Sequence, residues 1–448
     1  MAFDCVIRGA QVVRASGVEA LAIGIEDGRI TELSPEISGQ ARETIDARGL
    51  HVFPGVLDAH VHVNDPGRDS WEGVPSGSAA LAAGGGTFFI DMPLNSSPPT
   101  LDADSFDRKL AACSGRARAD FGLWGGLTPG NLDQLEALAE RGVVGFKAFM
   151  SSSGIEDFRA CDDGSLYRGM RVAAGLGLPV AIHAENDGMT TALSAMARSA
   201  GRTSMRDYLD SRPIAAEAEA ISRALAFAED TGCSIHVVHT SSARGVGLIR
   251  RAVEAGLCDA TCETCPHYLL LSVDDMEMIG ARAKCAPPLR PESERNLLAQ
   301  EVAAGRVDTI GSDHSPSPLS MKQGADFFSI WGGISGAQAT LRALLTLELH
   351  LPLVAKLTSD NVARRFRIPG KGGIRVGADA DLALVDLSVA APVAESELLD
   401  RHHLSPYAGR TLRGAVRRTM LRGQTIAREG AVVGVPQGRF LKPHHTTA

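Results

Sequence analysis

His60 and His62 stand one residue apart in Asp58-Ala59-His60-Val61-His62. In a β-strand alternate side chains share a face, so the two imidazoles project together and can grip one metal ion. The preceding run, Leu50-His51-Val52-Phe53-Pro54-Gly55-Val56-Leu57, is apolar and β-branched, the pattern of a buried strand. A lone His-x-His equally suits two structural histidines. The rest of the chain has to decide.

The elements that would position these residues alternate along the middle of the chain. From about residue 54 to 365, apolar strands are separated by helical patterns. After the first, strands are expected at Thr87–Met92, Ala119–Gly125, Val143–Phe149, Leu178–His183, Ser234–His239, Asp259–Thr264 and Val307–Asp313. Helices are expected at Asn131–Arg141, Ile214–Thr231, Arg244–Ala255 and Glu292–Ala304. The fold class predicted is α/β, a (β/α)8 barrel. Residues 1–53 and 366–448 have a different texture, with short alternating runs broken by Gly and Asp, such as the hairpin signal Asp27-Gly28. They are expected to pair as one small β-sandwich beside the barrel. His444 to Ala448 are expected to form a frayed tail.

Set on that barrel, polar groups fall at strand ends, where barrel enzymes keep their sites. His60 and His62 end the first strand. Lys147 lies in the apolar Gly145-Phe146-Lys147-Ala148-Phe149, and His183, His239 and Asp313 end three later strands. Four histidines, an aspartate and a lysine suit two divalent cations, Zn²⁺ first, with Co²⁺ or Mn²⁺ as alternatives. The lysine is the odd member, since an ammonium beside two dications is repelled. Carboxylation of Lys147 by CO2 removes the conflict, because the resulting N6-carboxylysine is an anion with two oxygens.

Composition bounds the partners. The 448 residues carry a formal net charge of −8, with 44% hydrophobic and 22% charged residues. An acidic chain without a basic stripe argues against nucleic acid. The arginines of Arg410–Arg422 are interleaved with apolar residues and read as an edge strand with a solvated face. No run reaches membrane-span length, and the N-terminus lacks a signal-peptide pattern. The eight scattered cysteines, including Cys262-x-x-Cys265, read as reduced thiols in a cytoplasm.

The constellation resembles the cyclic-amide branch of the amidohydrolase superfamily: dihydroorotases, dihydropyrimidinases (hydantoinases) and allantoinases. The resemblance spans essentially the whole chain. Several stretches are similar to allantoinases in particular: Asp65-Pro66-Gly67-Arg68, Asp91-Met92-Pro93-Leu94-Asn95, His183-Ala184-Glu185-Asn186, Glu263-Thr264-Cys265-Pro266-His267-Tyr268, Ser312-Asp313-His314-Ser315-Pro316 and Trp331-Gly332-Gly333-Ile334-Ser335-Gly336. The resemblance implies that His60, His62 and Asp313 hold one metal and that His183 and His239 hold the other. Carboxylated Lys147 and a hydroxide would bridge them. It implies ring opening of allantoin to allantoate in purine catabolism, with Asp313 as general base and then general acid, by a homotetramer. Backbone at Ala286 and Gly332 would hold the ring's imide face, and Asn95 and Ser317 are weaker candidates for the ureido arm.

Two departures sharpen the substrate. The arginine that clamps the substrate carboxylate in dihydroorotases is replaced by Asn64. The oxyanion tyrosine of hydantoinases, five residues after the lysine, is replaced by Ser152. The alternatives are a dihydropyrimidinase or hydantoinase acting on a related ring, and a non-catalytic scaffold on the same fold. His314 is expected either to steady a ligand or to lie on a surface loop. Glu185 is expected to bond loop backbone or to touch substrate, and His236 to be structural.

Overall fold

The computed structural model describes residues 3–444. The expected fraying at His445 to Ala448 lies outside the described residues; His444 donates its backbone N–H to the Arg367 carbonyl at 2.9 Å.

The N-terminal segment supplies five strands: β1 (Phe3–Arg14), β2 (Gly17–Glu26), β3 (Arg29–Ser34), β4 (Ala41–Asp46) and β5 (His51–Pro54). The barrel strands follow as β6 (Val56–Val61), β7 (Gly86–Asp91), β8 (Asp120–Leu123), β9 (Gly125–Gly126), β10 (Phe146–Phe149), β11 (Val180–His183), β12 (Ile235–Val237), β13 (Ala260–Thr264) and β14 (Thr309–Ile310). Because β8 and β9 are consecutive halves of one strand interrupted at Trp124, these make eight parallel staves. Closure runs through Val61 and His314, which form a parallel bridge, with the His62 N–H donating to the His314 carbonyl at 2.7 Å. Helices separate most of the staves, so the strands are covered on both faces. This is why β7 (Gly-Thr-Phe-Phe-Ile-Asp) is buried at every position. The chain is an α/β barrel, as its periodicity predicts.

The C-terminal segment adds β15 (Leu382–Pro392), β16 (Thr411–Leu421), β17 (Gln424–Arg428) and β18 (Ala431–Val432). They join the N-terminal strands through the antiparallel pair β5–β15, in which Val52 faces Leu384. The result is one nine-stranded sheet, around a core that includes Ile7, Val12, Ile23, Val52, Leu384 and Met420. β16 is not an edge strand, contrary to the reading of its arginines. It lies between β15 and β17. Arg417 reaches Asp386 and Glu429 across the sheet, and Arg418 reaches Glu43.

A buried ion cluster fastens sheet to barrel. The Lys371 ammonium lies 2.7 Å from Asp120 at the start of β8, 2.6 Å from Asp381 and 3.0 Å from Asp379, and Arg422 also pairs with Asp120. Burial alone would lower the lysine's pKa, but Asp381, Asp120 and Asp379 outweigh it and hold Lys371 above its ordinary 10.5. Burial pushes the Asp381 carboxyl up despite the lysine, and the charge of Asp120 adds to the rise. A raised lysine contributes stability that is fully present below its unfolded pKa and is lost only as pH rises through the higher folded value. Lys371→Met strands these carboxylates and should cost about 3–5 kcal/mol. Urea midpoints at pH 6 and pH 9 should show the same loss; a cost under about 1 kcal/mol would sink this account.

Candidate functional site

The imidazoles of His60 and His62 arrive together at the end of β6. His60 Nε2 and His62 Nε2 each lie 3.3 Å from Asp313 Oδ1. Ligand atoms of this trio all fall within 4.8 Å of one another. Asp58 holds the two chain segments in register: its Oδ1 accepts the backbone N–H of His60 (3.2 Å) and of Ser312 (3.0 Å). The second group is adjacent, with the ring centres of His60 and His239 5.4 Å apart. His183 Nδ1 lies 3.0 Å from His239 Nε2. Lys147 is fully buried, and its ammonium has no hydrogen-bond partner among the described residues.

Outer carboxylates choose which nitrogen of His60 and of His183 faces inward. His60 Nδ1 donates to Glu263 Oε1 at 2.7 Å, leaving the Nε2 lone pair for the site. His183 Nε2 donates to Glu185 Oε2 at 2.8 Å, leaving Nδ1. Glu185 is in turn gripped by Arg212. His62 Nδ1 faces the Leu94 carbonyl at 3.5 Å. Oriented imidazoles with carboxylates behind them are the usual support of metal-ligating histidines.

The protonation pattern suits cations too. Burial pushes His60, His183 and His239 below the ordinary imidazole range, the last well below it. Burial alone would raise Asp313, but His60 and His62 outweigh it and hold the carboxyl far below the usual carboxylate range. Burial likewise pushes Lys147 down to about 8. Neutral imidazoles, an ionised carboxylate and an amine poised to lose its proton form a donor set for a borderline metal. Two of these residues carry backbone strain: His239 (φ 41°) and Asp313 (φ 45°) sit in the left-handed region that non-glycine residues avoid.

The site opens into a cavity of about 370 Å³. Its walls include Asn95, Ser152, Tyr208, Ala286, Trp331 and Gly332. Ser152 thus faces the cavity at the position where a hydantoinase tyrosine is expected. Asn64 does not line it; its amide donates to the Pro316 carbonyl at 3.4 Å. Ser317, the other candidate for the ureido arm, is placed differently from Asn95. It is buried and stands outside the cavity wall, where Ser315 lines the face instead. The chain turns away through Pro316 and Pro318 toward the short helical turn Leu319–Lys322.

Other expectations resolve here. Glu185 bonds neither loop backbone nor open cavity but His183 and Arg212. His314 is buried, not on a surface loop, and its Nδ1 accepts the N–H groups of Gly336 and Ala337 at 3.2 and 3.4 Å. His236 turns from the site, with Nδ1 2.8 Å from Thr261 Oγ1. Cys262 and Cys265 are buried free thiols.

Sequence reasoning assigned no role to Glu263. Burial alone would raise its carboxyl, yet His60 and His236 hold it at about 2, so it stays charged. A Cβ on Gly311 would fall 2.5 Å from Glu263 Oε2, so this close approach requires glycine. An acid inside a strand buried in the barrel calls for a buried partner. Glu263→Gln should weaken metal retention roughly 10–100-fold. Metal content after graded chelator dialysis measures this, and parental retention would refute it.

Convergent imidazoles, a carboxylate and a buried amine at the C-terminal mouth of a barrel suit a metal-dependent hydrolase. The chain belongs to the amidohydrolase family, whose model matches residues 51–426. It is 56% identical over 447 residues to the allantoinase of Rubrobacter xylanophilus, covering 99% of this chain and 98% of that one. It is 50% identical to the allantoinase of Deinococcus radiodurans, over 99% of each chain. Among solved structures it superposes on the L-hydantoinase (dihydropyrimidinase) of Arthrobacter aurescens with a TM-score of 0.95 at 34% identity, over 98% of this chain and 100% of that one. The dihydropyrimidinase of Brevibacillus agri gives 0.91 at 29% identity, over 98% of each. Among the described residues no helix is long and apolar enough to cross a membrane.

Proposed function

We propose that this chain hydrolyses the ring of allantoin to allantoate at a binuclear divalent-metal site. The carrying observation is the inward-facing set His60, His62, Asp313, His183 and His239 around the partnerless Lys147, in a chain whose curated relatives are allantoinases. His60, His62 and Asp313 would hold one cation, and His183 and His239 the other. Lys147 would join them as a carbamate: its amine lone pair bonds to the carbon of CO2 and a proton leaves, giving an anion with two donor oxygens. Bound cations, Zn²⁺ foremost, would supply Lewis acidity that polarises a ring carbonyl and makes water a nucleophile near neutral pH.

The chain's own groups do the rest. Asp313, held ionised, takes the proton of the attacking water and returns it to the departing ring nitrogen. The scissile C–N bond breaks, a carboxylate forms, and no covalent enzyme intermediate is needed. Ala286 and Gly332 line the cavity and their backbone would meet the ring's imide edge, while Asn95, in the same wall, would meet the ureido arm. Ser152 in place of a tyrosine supports allantoin over hydantoin. Free thiols support a reducing cytoplasm, and the family resemblance supports a homotetramer.

Side-by-side assays of enzyme reconstituted with Zn²⁺, Mn²⁺ or Co²⁺ plus bicarbonate test the reading. Rapid opening of allantoin with little action on hydantoin, dihydrouracil and dihydroorotate is expected. Preference for hydantoin or dihydrouracil, the substrates suggested by the solved neighbours' names, would overturn the substrate and keep the chemistry. Inactivity without stoichiometric metal would favour a scaffold.

A further inference from the structure

Two buried lysines outside the metal cluster converge on one loop. Lys284 Nζ donates to the carbonyls of Phe327 (2.6 Å), Phe328 (3.3 Å) and Ile330. Lys322 Nζ donates to the carbonyls of Trp331 (3.1 Å) and Gly333 (2.7 Å). Lys284 also lies 4.5 Å over the Tyr208 ring. Five carbonyls in the span Phe327–Gly333 are thus turned toward two ammoniums. Burial pushes both lysines down to about 7, so holding them charged costs fold stability that an apolar side chain would not. Such a cost calls for a role.

Peptide geometry supplies one. In a planar trans peptide, the N–H points opposite the preceding C=O. With the Trp331 carbonyl on Lys322, the Gly332 N–H is turned away from that lysine. Likewise the Cys285 carbonyl accepts the Tyr208 hydroxyl at 3.0 Å, which turns the Ala286 N–H the other way. Gly332 and Ala286 both line the cavity, and neither N–H has a partner among the described residues. The two strips are tied together where the Gly333 N–H donates to the Lys284 carbonyl at 2.7 Å. A Cβ at Gly333 would fall 2.1 Å from the Ser315 carbonyl oxygen, so the loop is also pinned from its far side.

We propose that Lys284 and Lys322 are positioning residues that lock the Phe327–Gly333 loop, so that the Gly332 and Ala286 N–H groups form a preset donor pair for the carbonyl edge of a cyclic imide. The inference rests on the cyclic-amide reading of the site. Lys284 lines the cavity, but its ammonium is engaged by the Phe327, Phe328 and Ile330 carbonyls, so each lysine acts through the peptide groups it holds.

The test uses metal-loaded full-length enzyme carrying Lys322→Ala or Lys284→Ala, with the near-isosteric Lys→Met pair in case the alanine forms fold poorly. Hydrogen exchange of residues 325–334, measured without substrate, should accelerate roughly tenfold or more in each variant. On whichever cyclic amide the parent opens fastest, KM should rise roughly tenfold with kcat little changed, the signature of lost uniform binding. Propylammonium, which replaces the missing chain and its charge, should restore KM in the alanine variants. 1-Propanol, which fills the same space without the charge, should not. Parental exchange and KM in both variants would overturn the proposal, as would equal rescue by propanol, since that is a packing role. A parent inactive on every cyclic amide would sink the functional reading, while loop exchange would still decide the clamp.

Discussion

Asp313→Asn is expected to lower kcat on allantoin by roughly 10²–10⁴-fold while two metals per subunit remain bound. The asparagine keeps the shape of the side chain and one oxygen that can face His60 and His62, each of which lies 3.3 Å from Oδ1 in the parent. It cannot accept a proton. The parent carboxylate, though burial would raise it, is held ionised by two flanking imidazoles, which suits a base that must be free before each turnover. Its placement is also enforced: φ is 45°, and the Ser315 hydroxyl donates to the Asp313 carbonyl at 2.9 Å. Asp313→Ala removes ligand and base together and should lose metal as well as turnover. The asparagine variant therefore separates proton transfer from metal retention. An Asp313→Asn enzyme within a few-fold of the parent, with full metal, would remove Asp313 from proton transfer and leave it only a ligand.

The sequence made the site legible where its residues end strands, because alternation and position together say where a side chain points. His60, His62 and His183 belong to that class, whereas His239 and Asp313 lie two and three residues past β12 and β14 in left-handed backbone, so their place at the barrel mouth, not alternation, made them legible. Their supports were not legible. Glu263 meets His60 across 203 residues, and Arg212 reaches Glu185 from a loop 27 residues on, so both pairings depend on barrel closure rather than on local pattern. The Arg410–Arg422 tract was misread as an edge because its charges report partners on neighbouring strands, which a single segment cannot name. Lys284 and Lys322 were invisible for a related reason. Their acceptors are backbone carbonyls, which every sequence supplies, and only the folded loop shows them gathered on two ammoniums. The texture of the terminal segments did reveal β-structure, but the β5–β15 pairing joins residues more than 300 positions apart and is settled by packing.

Lys147→Met should abolish turnover and weaken metal binding by more than the roughly 10–100-fold that losing an outer partner costs. Methionine fills the volume of the lysine stem, so the fold should survive. What it lacks is the amine. In the parent that amine is buried, has no hydrogen-bond partner among the described residues and is lowered by burial to about 8, so a substantial fraction is neutral at mildly alkaline pH and nucleophilic toward CO2. A free ammonium there would repel the cations that His60, His62, His183 and His239 are arranged to hold, whereas the carbamate attracts them. Metal-free enzyme prepared without CO2 should therefore regain activity with Zn²⁺ only when bicarbonate is added. ¹³C-bicarbonate should give one carbamate resonance per subunit in the parent and none in Lys147→Met. Full reactivation in the rigorous absence of CO2, or a Lys147→Met enzyme that keeps both metals, would show that the lysine serves as an amine and that the two cations are joined by other groups.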